Sequence, residues 1–133
     1  NLLKLSNSPE RITTEFGYID DNKMEEYFYN STYVVLPYKK TFKALSIIFG
    51  DSIKRYKPVI TTKSSQNGFD THKYELGEIF ESENIFDLHL AIKRAHLNWK
   101  TRNLPKKDKF LNYLDKSSPE NITKSILKSF DKR

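Results

Sequence analysis

With 133 residues, 37% of them apolar and 14% aromatic, the chain is sized for one domain with a single core filled largely by Tyr and Phe. It has no cysteine, which excludes disulfides, cysteine-ligated zinc and thiol nucleophiles, and it has no apolar run near the roughly 18 residues that cross a bilayer. A net charge of +6 favours anionic partners: nucleic acid, anionic lipid or phosphorylated small molecules.

Residues 1–10 are mixed, with Ser8-Pro9 as a turn signal. Residues 12–19 alternate apolar and polar, which predicts a strand, interrupted by Gly17 near its end. Asp20-Asp21-Asn22 is an N-cap cluster, and Met24, Tyr27 and Phe28 then fall at helical spacing until Asn30-Ser31. Tyr33-Val34-Val35-Leu36-Pro37-Tyr38 predicts a buried strand that stops at a proline. A basic loop, Lys39-Lys40-Thr41-Phe42-Lys43, leads to an apolar helix over residues 47–55, and residues 58–62 predict a second buried strand. This strand, loop, helix and strand fit one βαβ crossover.

Residues 63–70 carry a Ser/Gln/Asn/Gly composition that predicts a flexible loop, with residues 64–68 as a lid beside the sheet. One helical turn over residues 72–76 is closed by Gly77, and residues 78–81 predict a short strand. Ser82-Glu83-Asn84 caps a helix whose stripe is Ile85, Leu88, Ala91, Ile92, Ala95 and Trp99. Residues 100–109 are a basic linker broken by Pro105, with five basic residues and one acid, whereas residues 75–87 are acidic. Phe110, Leu111 and Leu114 mark a short helix. Ser118 caps the last helix, Pro119 takes its first position, and Ile122, Ile126, Leu127 and Phe130 form its expected buried face. Four strands alternating with helices predict an α/β fold with a Rossmann-like parallel sheet in a single domain over residues 1–133.

His72, His89 and His96 make no metal-ligand pattern, and no metal or cofactor is expected. No leader peptide is recognisable and no transmembrane segment is present, so the expected location is cytoplasmic, with peripheral membrane contact open to so basic a chain. The chain opens on Asn1 rather than Met, which reads as a fragment of a longer protein.

The order of motifs resembles the C-terminal half of a GT-B glycosyltransferase of the large group 1 (family 4) type. That family runs from a Phe-Gly-x-Val strand end to Asp-Glu-x-Leu, then Ala-Asp-Val-x-Val-Leu-Pro, a Glu-containing loop, a helix and Gly-x-Pro-Val-Ile. This chain has Phe16-Gly17-Tyr18-Ile19, Asp20-Asp21-Asn22-Lys23-Met24, Ser31-Thr32-Tyr33-Val34-Val35-Leu36-Pro37-Tyr38 and Tyr56-Lys57-Pro58-Val59-Ile60. Leu76-Gly77-Glu78-Ile79-Phe80 is similar to the family's Gly-x-Leu-Val element, and residues 118–130 are similar to its final Ser-Trp-Glu-x-Ile helix. Where the family carries a pair of glutamates around the helix, the matching positions hold Lys43 and Asp51. Ser46-Ile47 matches the Ser-Gly helix start of a subgroup, without the glycine. The domain's usual first strand and its donor-gripping basic motif have no counterpart.

The resemblance implies a metal-independent, retaining transferase whose partners are a nucleotide-sugar donor and an N-terminal domain of the same enzyme, and no nucleic acid. It implies that the backbone at Tyr18 and Ile19 meets the base, that Asp51 accepts hydrogen bonds from the ribose, and that Tyr38, Lys43, Ser46 and Ile47 surround the diphosphate and sugar. Residue by residue, the chemistry is coherent. In parallel sheets ligands bind at the carboxyl ends of the strands. Ser46 as N-cap leaves helix amides facing a phosphate, although an ordinary cap looks the same. Lys39, Lys40 and Lys43 offset negative charge on a leaving diphosphate, or form a solvated loop. Two alternatives remain on sequence alone: a basic nucleic-acid-binding module and a non-catalytic α/β interaction domain.

Overall fold

The computed structural model describes residues 11–130, with backbone only for residues 129 and 130. The Ser8-Pro9 turn and the Phe130 side chain lie outside the described residues. The elements run α1 (Asp21–Asn30), β1 (Val34–Leu36), α2 (Ile47–Lys54), β2 (Val59–Thr62), α3 (Gln66–Tyr74), β3 (Gly77–Phe80), α4 (Ile85–Lys100), α5 (Lys107–Lys116) and α6 (Pro119–Phe130). The three strands form a parallel sheet in the order β1-β2-β3, flanked by helices, as in a Rossmann-like fold.

β2 is the middle strand, and all four of its residues are buried. Val59 pairs in register with Val34 and Gly77, and Ile60 with Val35 and Glu78. Alternation then sends Val59 to one face of the sheet and Ile60 to the other. On the first face Leu36 and Val59 meet Phe49 and Ile53 of α2, Phe110 and Tyr113 of α5, and Leu76. Edge-on aromatic pairs knit this layer: Phe49 with Tyr113 at 5.8 Å and Tyr56 with Phe110 at 5.9 Å. On the second face Ile60 and Phe80 receive Ala91 and Ala95 of α4. The small side chains let that helix sit close to the sheet.

Several expectations are corrected. Residues 12–19 form no strand, and Phe16 and Tyr18 are 93% and 90% exposed. Alternation makes a strand only beside a partner edge, and this segment lies beside none of β1–β3. Gly17, at φ +107, also leaves the extended region. Among the described residues the sheet therefore has three strands rather than four. The expected loop over residues 63–70 and single turn over 72–76 are replaced by the nine-residue α3. Its N-cap Ser65 accepts from the Gly68 amide at 3.1 Å. Residues 64–68 are thus a helix start, not a lid, with Ser65, Asn67 and Gly68 buried. α5 begins at Lys107, inside the expected linker. Val35 of the expected buried strand is exposed. In the α4 stripe Ile85, Ile92 and Trp99 are exposed, because the core takes the Ala91–Ala95 edge of the stripe. Ile122, Ile126 and Leu127 of α6 are exposed rather than buried, since the packing of α6 among the described residues is chiefly against α5.

Gly77 holds φ +150, and a β-carbon there would overlap the Val59 carbonyl oxygen. Replacing it with alanine should lower the unfolding free energy by about 2–4 kcal/mol in urea denaturation. A second expectation follows from Tyr113. Burial, reinforced by the nearby Asp70 carboxylate and Tyr74, pushes its hydroxyl up to about 12. An unfolded tyrosine ionises near about 10. The raised value contributes stability that is fully present below about pH 10 and is lost as pH rises through about 12. Tyr113→Phe should flatten that alkaline decline in pH-dependent denaturation midpoints.

Candidate functional site

The three parallel strands deliver their following loops to one end of the sheet. There the side chains lace these loops together. Past β1, Pro37 ends the strand and the Tyr38 amide turns back to the Leu36 carbonyl at 3.0 Å. The Tyr38 ring stacks on Phe42, with centroids 4.1 Å apart, across a turn closed by the Phe42 amide and Lys39 carbonyl. The Tyr38 hydroxyl donates to Ser46 Oγ, and the Tyr38 carbonyl accepts from Ser82 Oγ, past β3, at 2.8 Å. Lys43 Nζ reaches the loop past β2, donating to the Ser64 carbonyl at 3.1 Å.

Ser46 is the N-cap of α2. Its Oγ accepts from the Phe49 amide at 3.3 Å, and its own amide donates to Asn67 Oδ1 of α3 at 3.2 Å. The starts of α2 and α3 are therefore joined by a buried carboxamide. Ser46 is buried under Tyr38 and its hydroxyl is fully engaged. The first backbone bond of the helix runs from Gly50 to the Ser46 carbonyl, so the Ile47 and Ile48 amides precede the ladder. Ile47 is 81% exposed, so its side chain leaves toward solvent. Lys39, Lys40 and Lys43 are exposed around the same tip. Partial positive charge from the helix start and three ammonium groups make this end of the sheet attractive to an anion.

Asn67 Nδ2 and Thr62 Oγ1 are fully buried here and have no hydrogen-bond partner among the described residues, and the same holds for Ser64 Oγ. Sequence reasoning placed Ser64 and Asn67 in a lid and missed their burial at a helix start. Their signal was a helix cap, Ser65 three residues before Gly68, hidden in a composition typical of loops.

The structure brings Tyr38, Lys43, Ser46 and Ile47 into one region. Asp51 lies four residues beyond Ile47, on the same outer face of α2. It faces Arg55 at 3.7 Å, while Arg55 Nη1 donates to the Asp51 carbonyl at 2.9 Å. Arg55 also pairs with Glu25 of α1, which holds the Glu25 carboxyl below its ordinary range. Tyr18 and Ile19 precede the Asp20 cap of α1, and no side-chain bond among the described residues joins them to the α2 tip.

Hollows lie elsewhere on the surface. A cleft of about 1030 Å³ runs along β3 between α4 and α5, past Glu78, Arg94, Asn98 and Lys106. An apolar groove of about 350 Å³ lies over Tyr33, Val35, Ile60, Ile92 and Trp99. Neither is lined by Tyr38, Lys43, Ser46, Ile47 or Asp51. No group of three or more His, Asp or Glu among the described residues is placed to hold a metal. No protein-family model, curated protein or solved structure matches this chain.

Asn67→Ala would leave the Ser46 amide buried without an acceptor. The expected cost is about 1–3 kcal/mol in denaturation, with faster hydrogen exchange at the Ser46 amide.

Proposed function

We propose that this chain is the donor-binding domain of a GT-B glycosyltransferase, one that moves a sugar from a nucleotide-sugar to an acceptor in glycan or polysaccharide synthesis. The observation that carries this reading is the α2 tip. Two amides precede the helix ladder, and three exposed lysines lie in the loop that leads to it from the carboxyl end of β1. In this reading the Ile47 and Ile48 amides meet the diphosphate, and Lys39, Lys40 and Lys43 offset its charge as it leaves. Asp51, whose contact to Arg55 is longer than a hydrogen bond, accepts from the ribose. Tyr18 and Ile19 meet the base through a segment that must come to rest beside it.

The reading also expects a larger sheet and a second domain. Its support is the outer edge of β1, unpaired among the described residues, with the apolar side chain of Val35 exposed beside it. An N-terminal domain of the same enzyme would complete the active site, and the fragment by itself would transfer no sugar. No helix among the described residues is long and apolar enough to cross a membrane.

A second reading, a basic nucleic-acid-binding or protein-interaction domain without catalysis, draws on the +6 charge. Calorimetric titration separates the two. The donor reading expects saturable binding of either UDP or GDP, lost in Asp51→Ala and weakened about tenfold in Lys43→Ala. Binding of neither diphosphate, with steeply salt-dependent binding of a generic duplex, would overturn it.

A further inference from the structure

The positive charge of this protein sits at one end of the chain. Residues 100–133 hold ten basic and four acidic side chains, whereas residues 1–99 hold thirteen of each. The whole net charge of +6 therefore belongs to the last quarter of the sequence. That quarter ends in α6, a helix of twelve residues. Asn121 moors its start, with its amide on Ser118 Oγ at 3.3 Å and Nδ2 on the Asp115 carbonyl at 2.7 Å. Beyond this mooring the helix turns an apolar arc to solvent. Ile122, Ile126 and Leu127 are 48%, 52% and 59% exposed. At 100° per residue these three lie within one arc, and Lys124 and Lys128 lie on the opposite side. Lys116, at the end of α5, is exposed as well. None of these three lysines forms an ion pair among the described residues.

We infer that α6 is an interfacial helix that lays its Ile122–Leu127 arc into the surface of an anionic bilayer. Charge complementarity selects this occupant. The lysines meet acidic headgroups while the apolar arc enters the boundary with the acyl chains. A nucleic acid would take the charge but offers nothing to the apolar arc. A second copy would offer an apolar arc but brings the same positive charge with it. At 1.5 Å per residue the helix is about 18 Å long, too short to span, so it lies in the plane of the surface. The inference does not use the α2 tip and stands apart from the donor reading.

Co-sedimentation of the whole chain with vesicles tests it. Binding is expected to phosphatidylcholine vesicles that contain phosphatidylglycerol, not to phosphatidylcholine alone, and it should weaken as salt rises. The pair Lys124→Glu and Lys128→Glu should weaken binding about tenfold or more. The pair Ile122→Glu and Leu127→Glu should abolish it. The milder Ile122→Ser and Leu127→Ser should weaken it, with circular dichroism confirming the fold of each variant. Asp51→Ala should leave vesicle binding unchanged, which keeps this test separate from nucleotide binding. Three outcomes would overturn the inference. One is absence of binding to the anionic vesicles. Another is vesicle binding unaffected by the apolar substitutions and matched by binding to an RNA duplex. The third is a dimer in sedimentation velocity that the apolar substitutions dissociate, without any vesicle binding.

Discussion

The structure depends on β2 being covered on every side. Its edges pair with β1 and β3, one face meets α2 and α5, and the other meets α4. A strand so enclosed has no room for a shift of register. Moving it by one residue would exchange Val59 and Ile60 between the two faces, driving the larger Ile60 against α2 and leaving the smaller Val59 against the alanines of α4. Thr61 is tolerated in this place because its hydroxyl donates to the Leu36 carbonyl at 3.3 Å. The approach to β2 is fixed as well. Lys57 donates to the carbonyls of Tyr29 at 3.2 Å and Ser31 at 2.8 Å, tying the end of α1 to the strand's entry. With β2 held, the starts of α2 and α3 are held too, because each helix lies between two strands that cannot slide.

The parts of the fold legible in the sequence are those carried by local chemistry. Asp20, Ser46, Asn84 and Ser118 all cap helices as their spacing indicates. β1 is a short apolar run and β2 and β3 each carry an apolar pair, all near turn residues, which suffices to locate strands. The errors come from properties that periodicity does not encode. Residues 12–19 alternate well, but a strand is a relation between two segments. In α3 the buried positions are Asn67, Gly68 and Thr71, so no apolar stripe announced the helix. In α4 the apolar arc is wider than the surface it covers, and only contact with Ile60 and Phe80 decides that Ala91 and Ala95 go inside. In α6 the stripe is real but stays about half exposed. α5 begins without a side-chain cap, so its first turn carries no start signal.

The candidate site divides along the same line. Ser46 was legible because a cap is a local device. Its partners were not, since Asn67 lies 21 residues away and the bond from Ser82 to Tyr38 spans 44. These long-range bonds decide what the site offers a ligand. Tyr38 and Asn67 engage Ser46, while the Ile47 side chain leads into solvent, away from the helix start.

In the proposed reading Lys43 stands where the resemblance places a carboxylate. The bond to the Ser64 carbonyl gives a physical reason for a lysine at this position. An ionised glutamate accepts hydrogen bonds and cannot donate one, so at position 43 it would face the Ser64 oxygen as a repelling neighbour. A lysine has three donors. One closes the gap between the loops past β1 and β2, and no ion pair among the described residues engages the ammonium group. Arginine would keep the charge but not this arrangement, since its planar fork fixes its donors in directions that a single carbonyl does not need. The cation at position 43 thus serves the join between the loops and the potential at the α2 tip, and a change that preserved only one of these would separate the stability of the loops from their affinity for an anion.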